Sequence, residues 1–289
     1  MFKKIGKCWL NVGLDHLSPT QINKSLDGWF YEYVYRDQEW RRSRKPNAKM
    51  IAGNAAQYGW DRFFLKNIPQ EQAIEDALNY FLKHKGTFID DQKEMEQFQA
   101  NFDAIPLVIN NYIQAVKDIK IQNIETVNAE KYVELWIDGV QVPFTGRTDL
   151  ETEKFFIEAK TKWQRRASKK DGSTTFHNIK APASPDEYHA RQVNFYKEAT
   201  GKPGYLVYAT PSDYKIFYTG ETEQLGEEAQ KETIATYERR AIKRQNLLEL
   251  AMESSVTMTA KRYIEPNYKD INYYGYSDID MKGVKQFYA

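Results

Sequence analysis

The sequence predicts an α/β fold in which helices flank a mixed sheet, with an N-terminal helical lobe and a long C-terminal helix. Two observations lead to this prediction. Apolar residues follow a helical spacing early in the 289-residue chain, and from about Tyr132 they alternate with a period of two. A helical segment then separates three strands from two more. We divide this single domain into a helical lobe over 1–125, an αβ core over 126–220, and a C-terminal helix and tail over 221–289.

The helical lobe is predicted to contain four or five helices. Ser18-Pro19-Thr20 is a capping signal for the first of them. A basic stretch, WRRSRKPN, follows as a predicted loop. The later helices are expected over residues 53–65, over 70–84, and as one or two helices within 97–120.

The strands of the core begin with a hairpin signal. Asp138-Gly139 lies between alternating apolar residues, which predicts paired strands over 132–137 and 140–150. The segment 154–163 is predicted as a third strand. The polar stretch over 165–183, which is rich in Lys, Ser and Gly, is expected to be a mobile loop.

The last part of the chain is predicted as helix, strand pair and helix. Ser184-Pro185-Asp186-Glu187 places Pro and acidic residues in a first helical turn, and Gly201 ends that helix. Strands are expected over 204–210 and 214–220, followed by a helix over 221–252. The aromatic tail after Glu265 is expected to be irregular.

Composition narrows the possible functions. The net charge is +1, so affinity for nucleic acid must come from local clusters of charge. Cys8 is the single cysteine, which excludes disulfides within the chain and multi-cysteine metal sites. The four histidines are scattered, which argues against a histidine-built zinc site. No apolar run approaches the roughly 20 residues of a membrane span, and the N-terminus lacks an apolar leader, so we expect a cytoplasmic protein without membrane association.

Charged residues in the predicted strands form the candidate site. Asp149 ends one strand, and Glu158 and Lys160 share one face of the next because side chains alternate along a strand. Two carboxylates at adjacent strand ends can hold hard divalent cations, and the Ala159 carbonyl could add a ligand. A lysine beside them can orient a water or stabilise charge developing on a phosphate. This pattern points to metal-assisted phosphodiester hydrolysis.

The spacing Glu-x-Lys is not specific by itself. The same acid-x-Lys spacing occurs at three other places, where a solvated ion pair is the simpler interpretation: Asp91/Lys93, Asp118/Lys120 and Asp280/Lys282. The pair at Glu158 differs because it lies in an apolar strand one hairpin arm after Asp149.

Together these residues resemble the signature of the PD-(D/E)XK nucleases. Asp149 and Glu158-Ala159-Lys160 match that signature, and Gln192 and Tyr196 are similar to the Gln-x-x-x-Tyr motif of the RecB-like exonuclease branch. One helical turn separates Gln192 from Tyr196, so both can face one site. The resemblance covers roughly residues 18–218.

The resemblance implies a restriction-endonuclease-like core and a DNA exonuclease that depends on Mg²⁺ or Mn²⁺. The implied catalytic residues are Asp149, Glu158, Lys160, Gln192 and Tyr196. The chain is similar to phage-type and mitochondrial genome-maintenance-type members that lack an iron-sulfur cluster. The implied role is DNA replication, recombination or repair, in the host cytoplasm if the protein is phage-encoded. Its partners would be DNA with ends, single- or double-stranded, and a single-strand-annealing or replication protein.

One position departs from the family pattern. Many relatives carry His or Glu where this chain has Gln57, and a neutral amide oxygen is a weaker metal ligand than a carboxylate. Asp61 lies one helical turn further along and could substitute. The implied metal ligands are therefore Asp149, Glu158 and Ala159, with either Gln57 or Asp61.

Basic and aromatic residues near the motifs are candidates for contacting DNA. Two basic runs could meet phosphates, and tryptophan could stack on bases. A solvated loop is the alternative interpretation of each run. The predicted nucleic-acid-binding residues are Ser18, Arg41, Arg42, Arg44, Lys162, Trp163, Arg165, Arg166 and Arg191.

Two other functions remain open at this point. The protein could be a catalytically weak nucleic-acid-binding module of the same fold, because Gln57 is a poor ligand. It could also be a carbohydrate-active protein that uses Asp149 and Glu158 as paired acids. The second alternative leaves Lys160, Gln192 and Tyr196 unexplained.

Overall fold

The centre of the protein is a mixed five-stranded sheet. The computed structural model describes residues 4–44, 46–84, 92–119, 127–268, 276 and 278–289. The strands of this sheet are β1 Asn128–Leu135, β2 Phe144–Glu151, β3 Phe156–Thr161, β6 Gly204–Ala209 and β7 Tyr214–Tyr218. Two further strands, β4 Arg165–Ser168 and β5 Thr174–His177, form a separate two-stranded sheet. The five-stranded sheet has the order β1-β2-β3-β6-β7, and only β3 and β6 are parallel within it.

Helices precede, interrupt and follow the strands. They are α1 Lys7–Asn11, α2 Pro19–Asn23, α3 Leu26–Phe30, α4 Gln38–Ser43, α5 Ala48–Lys66, α6 Gln70–Lys83, α7 Gln92–Asp118, α8 Glu187–Thr200, α9 Glu227–Glu253, α10 Val256–Tyr263 and α11 Asp278–Tyr288. The predicted fold class, with its helical N-terminal region and its C-terminal helix, is confirmed. Within the described ranges, no helix has both the length and the apolar character needed to cross a membrane.

Apolar side chains cover both faces of the sheet. Ile157 and Val207 belong to one buried cluster, which they share with α5, α6 and α7. Phe156 and Leu206 belong to a second cluster with α8 and α9. Neighbouring residues of β3 therefore point to opposite faces, as the predicted alternation requires. Burial on both faces explains why β6 is apolar along most of its length and why β3 begins with two large apolar residues.

The first hairpin is wider than predicted. Pairing of β1 with β2 ends at Leu135↔Phe144, so Asp138-Gly139 lies within an eight-residue connection over 136–143 rather than forming a two-residue turn. The backbone of Leu17 pairs with the same end of β2. Its N–H donates to the Pro143 carbonyl at 2.9 Å, and its carbonyl accepts from the Thr145 N–H at 2.8 Å. Phe144 therefore has Leu17 as well as Leu135 as a backbone neighbour.

Two segments that were predicted as loops contain regular structure. The stretch over 165–183 includes the antiparallel pair β4–β5, in which Arg166 donates to Glu96 of α7 and to the Thr174 hydroxyl. The first half of the basic stretch, residues 40–43, lies in α4, whose first turn is capped by the Asp37 carboxylate. A local side-chain cap supports α4, and a hydrogen bond from Arg166 to the distant Glu96 supports the β4–β5 pair.

The tail is also more regular than predicted. Helix α11 occupies Asp278–Tyr288, and Val284 and Phe287 are buried in the cluster that α8 and α9 share. This burial outweighs the weak local pattern. Residues 269–275 and 277 lie outside the described part of the chain.

Gly204 permits a close contact at the start of β6. Gly204 lies opposite Phe156 in the parallel pairing, and a Cβ atom at Gly204 would lie only 2.2 Å from the Phe156 ring. The aromatic side chain therefore packs directly on the backbone, which only glycine allows.

We predict that Gly204→Ala lowers the free energy of unfolding by about 1–3 kcal/mol, as overpacking does elsewhere. Denaturant titration measures this change. Gly53→Ala in α5 is the matched control, because its Cβ would make an ordinary 3.6 Å contact with Thr161 and would stabilise the helix by up to about 1 kcal/mol. Wild-type stability of Gly204→Ala would contradict the packing described here.

Candidate active site

The candidate site lies where β2 and β3 separate. Their pairing consists of Leu150↔Ile157 and Glu151↔Phe156, and the same register places Asp149 opposite Glu158. At that point the Asp149 Oδ2 atom accepts the Ala159 N–H at 2.6 Å. A side-chain bond thus replaces the next backbone bond of the ladder. Because the N–H and C=O of one strand residue point to the same side, the Ala159 carbonyl also faces this gap.

Glu158 and Lys160 meet inside the gap. Glu158 is only 2% exposed, and its Oε1 atom accepts a hydrogen bond from the Lys160 ammonium at 2.5 Å. The other oxygen, Oε2, is buried without a hydrogen-bond partner. A buried carboxylate oxygen without a partner is costly, which marks this position as one that a ligand would stabilise.

Burial in the gap disfavours the charged forms of both carboxyl groups. Burial and the neighbouring Asp149 raise the pKa of Glu158 to about 8, although Lys160 opposes the shift. Burial also raises the pKa of Asp149, against the effects of Lys160 and the Ala159 N–H. Burial disfavours the charged form of Lys160, but Glu158 and Asp149 outweigh it and raise the pKa of this ammonium. One ammonium therefore does not neutralise two buried carboxylates.

Gln57 and Asp61 of α5 occupy different positions. The Gln57 Nε2 atom lies 3.5 Å from Asp149 Oδ1 and 3.4 Å from Glu130 Oε1, and Gln57 lines the cavity of the site. Asp61 is not part of that lining, and its Oδ1 atom is buried without a partner. Burial, Asp149 and Glu130 raise the pKa of Asp61 to about 7. Because Gln57 lines the cavity and Asp61 does not, the geometry favours Gln57.

The cavity itself encloses about 300 Å³. It is lined by Gly53, Gln57, Trp60, Arg147, Asp149, Glu158, Ala159, Lys160, Thr161 and Gln192. Helices α5 and α8 therefore close the gap between β2 and β3 from two directions.

Gln192 lines this cavity, whereas Tyr196 lies behind it. The Gln192 Nε2 atom donates to the Tyr196 hydroxyl at 3.0 Å. Tyr196 is only 2% exposed and packs on Gly146, where a Cβ atom would lie 2.5 Å from its ring. Tyr196 is not among the residues that line the cavity and contacts one of them, Gln192, so its catalytic role stays a prediction.

Three predicted DNA-contacting residues follow the site along the chain. Lys162 comes two residues after Lys160, and its ammonium lies 5.8 Å from the centroid of the Tyr208 ring. Arg165 is exposed on β4. Arg166 is bound to the Glu96 carboxylate at 2.9 Å, so its charge is already compensated.

The structure contradicts the predicted stacking by Trp163, and it places Arg191 outside the cavity of the site. Trp163 is 5% exposed and belongs to the apolar cluster beneath α5, so it cannot stack on a base. Arg191 pairs with Glu187 and lines another cavity, between α8 and α9. Strand alternation places Trp163 on the opposite face from Lys162, and helical spacing separates Arg191 from Gln192.

The remaining predicted contacts lie in the N-terminal region. The Ser18 hydroxyl accepts the Gln21 N–H and caps α2. Arg41 donates to the carbonyls of Glu32 and Arg36, at 2.9 and 3.1 Å. The other two are at the end of α4: Arg42 is exposed, and the Arg44 guanidinium lies 4.2 Å from the Tyr276 ring centroid. Their contact with DNA stays a prediction.

Arg147 and Glu130 are site residues that the sequence analysis missed. Arg147 lines the cavity with a side chain that is 65% exposed, and it lies 3.5 Å from the Glu130 carboxylate. Arg147 precedes Asp149 by two residues on the same strand, so strand alternation could have placed it on the same face. Glu130 adopts an unusual positive φ of 47°, which no sequence signal indicates.

The donor atoms fit a hard divalent cation with mixed ligands. In the part of the chain that the structure describes, no three Asp, Glu, His or Cys side chains group closely enough to hold a metal by themselves. Asp149 and Glu158 would therefore need the Ala159 carbonyl, the Gln57 amide oxygen or water to complete the oxygen ligands that Mg²⁺ prefers. The unpartnered Oε2 atom of Glu158 supports this assignment.

Comparisons with known proteins find only distant structural similarity. No protein-family model matches the chain, and no curated protein matches its sequence. Among solved structures, a candidate exonuclease from Eubacterium rectale is similar, with a TM-score of 0.48 and 15% identity over 83% of this chain and 84% of that one. The protein SSO0001 aligns with a TM-score of 0.28 and 17% identity, over 59% of this chain and 84% of that one. The function is therefore argued from the site itself.

We predict that the metal-free protein loses stability as the pH rises. The folded state binds the Glu158 proton with a pKa of about 8, against an ordinary value of 4.5. The folded state therefore holds more protons than the unfolded state between these values, and thermal unfolding in EDTA should show falling midpoints across this window. Glu158→Gln should make the profile shallower and leave the part that Asp61, with a pKa of about 7, contributes. Added Mg²⁺ should also reduce the slope for the wild type.

Glu153→Gln is the control for this measurement, because Glu153 is exposed in the turn between β2 and β3. It should leave the profile unchanged. Equal pH dependence of the wild type and Glu158→Gln would show that Glu158 is not the group that titrates.

Proposed function

We infer that the protein is a metal-dependent deoxyribonuclease that hydrolyses phosphodiester bonds. The observation that carries this inference is the buried, unpartnered Glu158 Oε2 atom, which lies opposite Asp149 and beside the Lys160 ammonium. Two carboxylates with raised pKa values hold a hard cation well, because the cation removes the cost of their charge. Bound Mg²⁺ or Mn²⁺ supplies a water of lowered pKa and polarises the phosphate.

The protein's own residues would orient the substrate and stabilise charge. Lys160 stays protonated because Glu158 and Asp149 raise its pKa, so its ammonium can donate to a phosphate oxygen or hold a water. Gln192 and Arg147 line the same cavity and add hydrogen-bond donors. Tyr196 holds Gln192 in place through the 3.0 Å hydrogen bond.

The proposed substrate is DNA with ends, in replication, recombination or repair. The exonuclease assignment rests on the resemblance of Gln192 and Tyr196 to the RecB-like motif. Lys162 and Arg165 continue from β3 and place positive charge beyond Lys160, where a strand leaving the cavity would pass. A cytoplasmic location, in a host if the protein is phage-encoded, and a single-strand-annealing or replication partner complete the proposal.

One observation favours a second function. The Gln57 amide nitrogen lies 3.5 Å from Asp149 Oδ1, and a reoriented amide would offer a metal only a neutral oxygen, so the site would hold its metal weakly. A nucleic-acid-binding module with slow catalysis is the corresponding alternative.

The test is cleavage of labelled DNA by the wild type and Asp149→Asn. Asparagine keeps an oxygen that can accept the Ala159 N–H, so the fold should persist while the charge is lost. We expect Mg²⁺- or Mn²⁺-dependent nucleotide release by the wild type and at least about a hundredfold slower release by the variant.

Glu153→Gln again serves as the control and should keep full activity. Near-normal turnover by Asp149→Asn would contradict the site assignment. DNA binding by the wild type without cleavage in either metal would support the weakly catalytic alternative.

A further inference from the structure

A second group of polar residues surrounds Tyr208, next to Lys160. Tyr208 is fully buried on β6 and pairs in register with Lys160 of β3. Its hydroxyl accepts the backbone N–H of Asp186 at 3.0 Å and lies 2.9 Å from His189 Nδ1. The Lys162 ammonium lies over the Tyr208 ring, 5.8 Å from the ring centroid. One buried side chain thus positions both His189 and Lys162.

These bonds fix the tautomer of His189. The Tyr208 hydroxyl is buried and has one proton, and among the described residues His189 Nδ1 is the one acceptor within hydrogen-bond distance of it, so the hydroxyl donates to Nδ1. The neutral imidazole must then carry its own proton on Nε2. No hydrogen bond reaches Nε2 within the described residues, and this atom is not among the buried polar atoms. An N–H donor therefore points to solvent.

Geometry and charge agree that this donor is neutral. Burial, Lys160 and Lys162 lower the pKa of His189 to about 4, although the Asp186 carboxylate at 4.0 Å opposes the shift. The side chain is 20% exposed, so it remains accessible. In contrast to Arg166, Lys162 has no carboxylate within ion-pair distance in the described part of the chain. The two residues together offer an uncompensated positive charge and a fixed donor.

Their placement relates them to the candidate active site. His189, Gln192 and Tyr196 recur at spacings of three and four on α8, so they share one face of the helix. Lys160 and Lys162 are two residues apart at the end of β3. An anion held by His189 and Lys162 would therefore lie directly beyond Lys160.

We propose that His189 and Lys162 bind a backbone phosphate of the DNA strand, adjacent to the phosphate that is cleaved. This proposal rests on the proposed nuclease function. Lys162 supplies the charge, and His189 supplies a neutral hydrogen bond where a third cation beside Lys160 and Lys162 would be repelled. Tyr208 is the positioning residue for both.

The division of roles has a consequence for salt dependence. A lysine that neutralises a phosphate releases counterions, so its loss reduces the slope of log affinity against log salt by about 0.7 for a single strand. A neutral donor releases none. Loss of His189 should therefore weaken binding by about tenfold or more without changing this slope.

The experiment measures fluorescence anisotropy of a fluorescein-labelled single-stranded oligonucleotide in EDTA at several salt concentrations. Full-length wild type is compared with His189→Leu, His189→Gln, Lys162→Met and Tyr208→Phe, after circular dichroism has shown that each is folded. We expect weaker binding with an unchanged slope for His189→Leu, near-wild-type binding for His189→Gln, which keeps a donor, and a reduced slope for Lys162→Met. Tyr208→Phe keeps the ring and should reproduce the His189→Leu result in milder form.

His16→Leu is the matched control, because His16 precedes Leu17, which pairs with Phe144 at the opposite end of β2 from Asp149. Wild-type affinity of His189→Leu, or a reduced slope in that variant, would overturn the proposal. The proposed function fails separately: it fails if the wild type releases no nucleotides in Mg²⁺ or Mn²⁺, whatever the His189 variants bind.

Discussion

The burial of two carboxylates beside a single ammonium is the constraint on which the site depends. Asp149 and Glu158 face each other where the β2–β3 ladder stops, and Lys160 pairs with only one Glu158 oxygen. Folding the chain around this excess of negative charge costs free energy, which the raised pKa values of both carboxyl groups express. Carboxyl groups with such perturbed pKa values cluster at functional sites, which makes this gap the candidate site.

Tight packing holds the elements that bring these charges together. Phe156 packs on the backbone of Gly204, and Tyr196 packs on Gly146, so α8, β2, β3 and β6 approach more closely than larger residues would allow. These contacts surround the site without entering it. Tyr208 is a further buried residue that positions a functional side chain, because its hydroxyl holds the accessible His189 ring.

Local pattern predicted the parts of the structure that depend on neighbouring residues. Strand alternation placed Glu158 and Lys160 on one face correctly, and acidic caps with Gly201 located α8 closely. Prediction failed where distant contacts decide the outcome. Glu96 orders the β4–β5 hairpin through Arg166, and the apolar cluster buries Trp163 although its neighbours are polar.

The most direct test of the central claim is calorimetric titration of the wild type with Mn²⁺ near pH 7, in buffers of different ionisation enthalpy. Because Glu158 holds a proton with a pKa of about 8, metal binding should release protons, and Glu158→Gln should lose both the binding and the release. Binding without proton release, or equal binding by Glu158→Gln, would contradict the account of this buried carboxylate as a metal ligand.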